Sequence, residues 1–209
     1  MKKRTLGLAL VCGFVLAGCS NEAENLQKEL DSVAGAKEEL VVSLNEIQAQ
    51  ESALQNNFDE SITADEELKN FTDGSATVFT NIQERKAALE AIATALEDVQ
   101  ADYQDLVAFE EETLPLAKVE SLTTTIEKLE TILGNYLTAY ETQLTAEEEI
   151  FQSLGAEEAD FKTLYSGVQQ INETSDANLE TLRPLIDVFA NFDTQVSELL
   201  ADLAASEEE

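Results

Sequence analysis

The chain has 209 residues, 43 acidic against 12 basic, for a formal charge of −31 and no histidine at all. Such a balance makes nucleic acid an unfavourable partner, because binding phosphates requires clustered Lys and Arg. Without histidine there is no Ser-His or Cys-His nucleophile pair and no imidazole zinc ligand.

The N-terminus carries Lys2, Lys3 and Arg4, then an apolar run from Leu6 to Leu16 that is too short to span a bilayer. Leu16-Ala17-Gly18-Cys19 follows, and the whole reads as a secretory signal, residues 1–18, set aside from fold reasoning. The quartet resembles the lipobox of bacterial lipoproteins at all four positions. The resemblance implies cleavage before Cys19, a diacylglyceryl group on its sulfur and a further acyl (palmitate-type) chain on its new amine. More than one buried chain gives lasting membrane anchorage. With Cys12 removed and Cys19 lipidated, the remaining body has no thiol and no disulfide. Its acidic surface disfavours lying on an anionic membrane or touching wall polyanions directly. Cationic peptides, divalent cations or a basic protein are the counterparts that charge allows, and a merely solvated acidic face is the plainer reading.

Residues 19–25 form a polar leader. From Leu26 the apolar positions step by four and three through Leu30, Val33, Leu40, Leu44, Ile47, Leu54 and Phe58, with Lys37 and Glu51 in the two positions the pattern skips. An average period of 3.5 keeps the stripe on one face, as in a bundle or coiled-coil helix. A turn is expected near 61–66, and Thr63 with Glu66 forms a capping box for a second helix. That helix runs through Val78, Ile82, Leu89, Ile92, Leu96, Val99, Tyr103 and Leu106, with Arg85 in the seam. Gly74, beside Asp73 and Ser75, either breaks this helix into a short leading piece or is passed in one continuous helix, and the continuous helix is favoured because an isolated glycine costs only about 1 kcal/mol.

Glu110-Glu111-Glu112 opposes the dipole of a helix ending there but suits the start of the next, which Thr113 caps with Pro115 in its first turn. The third helix carries Val119, Leu122, Ile126, Leu129, Leu133, Tyr136, Tyr140, Leu144 and Leu154, and Gly155 stops it. The fourth starts near Asp160 and carries Leu164, Val168, Ile171, Leu179, Leu182, Ile186, Phe189, Val196, Leu199 and Leu203. Pro184 kinks it without necessarily breaking it. The hairpins 54–82 and 146–171 are faintly alike, through duplication or through chance. The expected architecture is all-α: residues 26–204 as an elongated antiparallel four-helix up-and-down bundle with coiled-coil-like packing, then an acidic frayed tail, 205–209. Helices of forty to fifty residues make a rod of roughly 60–75 Å.

Carboxylates are too frequent here for paired ones to signal chemistry. Glu147-Glu148-Glu149 and Glu157-Glu158 read as helix-end acids, no Asp-x-Asp-x-Asp-Gly calcium loop is present, and no metal or cofactor is expected. Lys37, Glu51 and Arg85 either fix register through buried pairing or mark where the bundle splays. The aromatics fall mostly at core spacing. Tyr136 and Tyr140, four apart on one face, are the candidate ligand contacts if exposed to a wall sugar, and their hydroxyls need wet or paired surroundings.

The lipobox, the acidic heptads, the segment Ala76 to Ala87 ending in Asn81-Ile82-Gln83-Glu84-Arg85-Lys86-Ala87, and Ile171-Asn172 after a Ser-Leu-Gly turn are similar to the YkyA-type family of Gram-positive cell-wall-binding lipoproteins. That resemblance implies a four-helix bundle at the outer face of the membrane and supplies no catalytic residues. The expected function is therefore non-enzymatic: a membrane-anchored helical rod that binds peptidoglycan or an envelope protein. A structural or accessory module of a secretion or wall-synthesis complex is the second reading, and a wall hydrolase is disfavoured.

Overall fold

The computed structural model describes residues 19–65, 67–107, 115–156 and 159–206. Leu16, Ala17, Gly18, Glu66, Glu110, Glu111, Glu112, Thr113, Glu157, Glu158 and the end of the tail, 207–209, lie outside those residues. The fold is all-helical, with no strand among the described residues. Six segments follow one another: α1 (Cys19–Ala64), α2 (Lys69–Asp73), α3 (Thr77–Val107), α4 (Leu116–Leu154), α5 (Phe161–Leu182) and α6 (Leu185–Ser206).

Several boundaries differ from the sequence expectation, each for a local reason. Helix α1 already begins at Cys19, so residues 20–25 are helical instead of a separate leader. They contain neither Gly nor Pro, and nothing in them stops the helix that follows. Thr63 is the last turn of α1, and its hydroxyl donates to the Asp59 carbonyl instead of capping a new helix. Asp65 takes over the turn, accepting the backbone N–H of Glu67 on one carboxylate oxygen and that of Asn70 on the other.

The second helix is not continuous. Gly74 sits at φ 78° and ends α2 in the left-handed region that glycine adopts without penalty. Asp73 then accepts the Ser75 N–H, and α3 starts at Thr77. Pro115 precedes α4 as its N-cap, at φ −63° and ψ 108°, rather than lying inside the first turn. At the far end Gly155 does terminate α4, but at φ −83°, so its left-handed freedom is not what is used. A Cβ there would lie 2.7 Å from the Thr72 backbone nitrogen. The glycine lets α2 approach, and the Thr72 hydroxyl donates to its carbonyl at 2.8 Å. Asp160 caps α5 by accepting the Thr163 N–H at 2.8 Å. Pro184 interrupts the last long helix: α5 ends at Leu182, and α6 resumes at Leu185 once the missing proline N–H has been passed.

Packing follows the apolar seams. Helix α1 lies along α3, α3 against α4, α4 against α5 and α6, and α6 returns to α1. On α1–α3, Ser32 reaches Asp102 while Gln50 and Asn57 meet Asn81. On α3–α4, Tyr103 meets Thr123 and Lys86 meets Glu148. On α4–α6, Ser121 meets Gln195 and Lys118 meets Asp202. In every pair one residue number rises as the other falls, so the partners run in opposite directions. Leu30, Leu40, Ile92, Val99, Leu122, Leu129, Leu133, Phe192 and Leu199 are fully buried on the inner faces. Each contributes about 1.5–3 kcal/mol through removal from water. At the other end Phe58, Phe71, Phe79 and Phe151 form a ring cluster with centroids 5.9–6.5 Å apart.

Candidate functional site

Between the dry seam and the phenylalanine cluster lies a polar layer centred on Arg85. Ile82, Arg85 and Leu89 occupy successive inner positions of α3, so the seam carries the guanidinium inward, where it is fully buried. Glu147 faces it from α4 at 1% exposure, and Nη1 and Nη2 of the guanidinium donate to Oε1 and Oε2 of the carboxylate. This fork geometry gives direction as well as charge compensation. Arg85 Nε donates to the Asn81 side-chain oxygen at 2.9 Å, and Nη1 donates to the Tyr140 hydroxyl at 3.2 Å. Burial works against the Arg85 charge, but the Glu147 hydrogen bond and charge, helped by Tyr140, raise its pKa above the ordinary value.

The layer extends on both sides. Gln143 donates to Glu147 at 2.7 Å and accepts from Asn178 of α5 at 2.6 Å. The Tyr140 hydroxyl in turn donates to Glu51 of α1 at 2.9 Å, and the Ser175 hydroxyl lies 3.4 Å from the same oxygen. Burial is the main cause raising the Glu51 pKa. The Tyr140 hydrogen bond and the Arg85 charge oppose it, and the Glu147 charge adds to it. One arginine thus stands among two carboxylates, and Glu147 occupies its fork.

Beside Glu51 the chain opens. Helix α5 is held tightly to α4, where a Cβ on Gly167 would come within 2.5 Å of the Ile150 side chain. Against α1 it leaves a cleft of about 550 Å³ lined by Glu51, Phe58, Asp59, Phe151, Val168 and Ile171 among others. A second hollow of about 310 Å³ adjoins it across Phe58 and is lined by Ile62, Phe71, Leu154 and Leu164.

Tyr136 and Tyr140 are brought together, with ring centroids 5.2 Å apart, but at 3% and 1% exposure they lie in the core. Neither presents a face to a sugar, because the α4 seam turns both inward. Burial raises the pKa of each hydroxyl, with the Glu51 charge adding to it and the Arg85 charge opposing. The Tyr140 hydroxyl is hydrogen-bonded within the arginine layer, and the Tyr136 ring packs against Tyr140. Lys37 is also buried and is paired, to Asp193 at 2.9 Å and to Glu38 at 3.0 Å, with its ammonium 5.5 Å from the Phe189 ring centre. Sequence reasoning missed Glu147 and Asn178. A signal existed, since Leu133, Tyr140, Glu147 and Leu154 step by seven, as do Ile171, Asn178, Leu185 and Phe192.

No helix among the described residues is long and apolar enough to cross a membrane. No curated protein and no solved structure matches the chain. Residues 21–202, from the first turns of α1 almost to the end of α6, match the YkyA family, whose description reads "Putative cell-wall binding lipoprotein", and the chain belongs to that family.

Proposed function

We propose that this protein is a non-enzymatic, lipid-anchored envelope protein whose elongated body binds a cell-wall component. The observation that carries the reading is the family match, which extends over nearly the whole helical body. In this reading residues 1–18 are the signal peptide, Cys19 carries the lipid and 26–204 are one antiparallel four-helix up-and-down bundle at the outer face of the membrane. The opposed residue pairings between neighbouring helices and the buried seams support the bundle. Because α1 starts at Cys19, a lipid there joins the helical body without a flexible tether, and the body stands close to the bilayer. The charge of −31 opposes direct contact with anionic polymers, so a cation bridge belongs to the hypothesis.

The test is retention of the purified protein on peptidoglycan, with and without Ca²⁺. Retention in either condition supports wall binding, and loss in both defeats it. Replacing Cys19→Ser is expected to release the protein from the membrane fraction. If the variant stays membrane-bound, the anchor is wrongly placed. The alternative role, as an accessory module of a secretion or wall-synthesis complex, predicts one specific protein crosslinked in cells alongside failed wall retention.

A further inference from the structure

We propose that the cleft between α1 and α5 is a binding site for a small organic ammonium carrying an apolar body, with Glu51 as its counter-ion. Arg85 is the only base hydrogen-bonded within the layer among the described residues, and Glu147 holds its fork. Glu51, half-buried and reached by the Tyr140 and Ser175 hydroxyls, is therefore a carboxylate in excess. Partly buried charge is costly unless compensated. The wall on which Glu51 opens adds a second acid, Asp59, and no Lys or Arg. The missing partner has positive charge.

The rest of the lining identifies which cation. Phe58, Phe151, Val168 and Ile171 make most of the wall apolar, and no group of three or more metal-ligating side chains is assembled among the described residues. A hard cation such as Ca²⁺ needs six to eight oxygens. An ammonium needs one carboxylate and two or three neutral acceptors, which Glu51 with Gln55 and Asn172 offers, while aromatic faces favour it further. The volume of about 550 Å³ falls in the range of sites for small organic ligands, and the adjoining hollow past Phe58 extends the apolar part. A cationic head at Glu51 with an apolar body toward Phe58 and Ile62 fits this polarity. Such binding is a role distinct from wall retention, and either can fail without the other.

The probe is phenethylammonium, compared with 2-phenylethanol and 3-phenylpropionate, which share its apolar body and differ in charge. Equilibrium dialysis against the lipidated protein in nanodiscs, with empty nanodiscs as the blank, gives the three affinities. The ammonium is expected to bind at least tenfold more tightly than either comparator. Glu51→Gln should remove that preference while leaving the alcohol unchanged, and Val168→Trp, at a position 41% exposed and so tolerant of size, should weaken all three by filling the cleft. Asp102→Asn in the acidic furrow between α1 and α3 should change nothing. Equal affinity for the three probes, an ammonium preference that survives Glu51→Gln, or displacement of the ammonium by equimolar Ca²⁺ would overturn the proposal.

Discussion

Two stretches of the helical body contrast sharply. Along the first, Leu26, Leu30, Val33 and Leu40 of α1 are buried, as are Val99 and Leu106 of α3, Leu122 and Leu129 of α4, and Phe192 and Leu199 of α6. Along the second, the same heptad positions hold Arg85, Glu147, Asn178 and Glu51, tied by a chain of hydrogen bonds. The helix period is unchanged between them. What changes is the cost of a wrong alignment. A leucine seam shifted by one heptad still packs, whereas the Arg85 fork matches one carboxylate on α4, so the polar layer specifies register where the dry seam supplies stability. It also borders the region where α1 and α5 part, beside the cleft.

The contrast can be broken from its polar side first. Glu147→Ala leaves Arg85 buried without its partner and is expected to cost about 3–5 kcal/mol in chemical denaturation. The double replacement Arg85→Met with Glu147→Leu should recover most of that loss, since an apolar pair needs no compensation. Equal losses in the single and double variants would show that the pair itself stabilises the body.

In the dry seam, Leu129→Ala removes a fully buried side chain and should cost about 2–5 kcal/mol by the same assay, with no recovery from any polar partner. A smaller effect is expected where α2 meets α4. Gly155→Ala would push a Cβ against the Thr72 backbone and should cost about 1–3 kcal/mol, read as a lower thermal midpoint.

Glu51 gives the smallest effect, and its sign sharpens the comparison. Its folded pKa is raised above the ordinary glutamate value, chiefly by burial. Between the unfolded value and the raised folded one the native state holds the extra proton, so stability falls as pH rises through that window. Glu51→Gln should therefore stabilise the protein modestly at neutral pH and give no such gain below the ordinary carboxylate range. Thermal unfolding at pH 3.5 and pH 7.5 reads the difference.

Much of the fold was legible because heptad spacing survives in sequence. The seams of α1, α3 and α4 follow the 3.5 period, and Lys37, Glu51 and Arg85 stand out as interruptions that either pair or mark where the bundle splays. The partners themselves were hidden. Glu147 looked like one of three helix-end acids, since its role depends on which face of α4 meets α3 rather than on its neighbours in sequence. Tyr136 and Tyr140 showed the right spacing for a common face but not which way that face points. At Gly74 the break prevails over the continuous helix, because the propensity cost of a glycine ignores the hydrogen bonds that Asp65 and Asp73 offer to a turned backbone. The cleft had no signature in sequence, arising from the close α4–α5 approach at Gly167 with α1 left behind.

The most direct test is a carbon-13 NMR titration of the glutamate side-chain carboxyls, with Glu51 assigned by its loss in Glu51→Gln. Glu51 is expected to titrate above the ordinary glutamate value, because burial acts on a carboxylate for which Arg85 has no free fork. Titration at or below that value would show that Glu51 is already compensated, and the description of one arginine serving two carboxylates would be wrong.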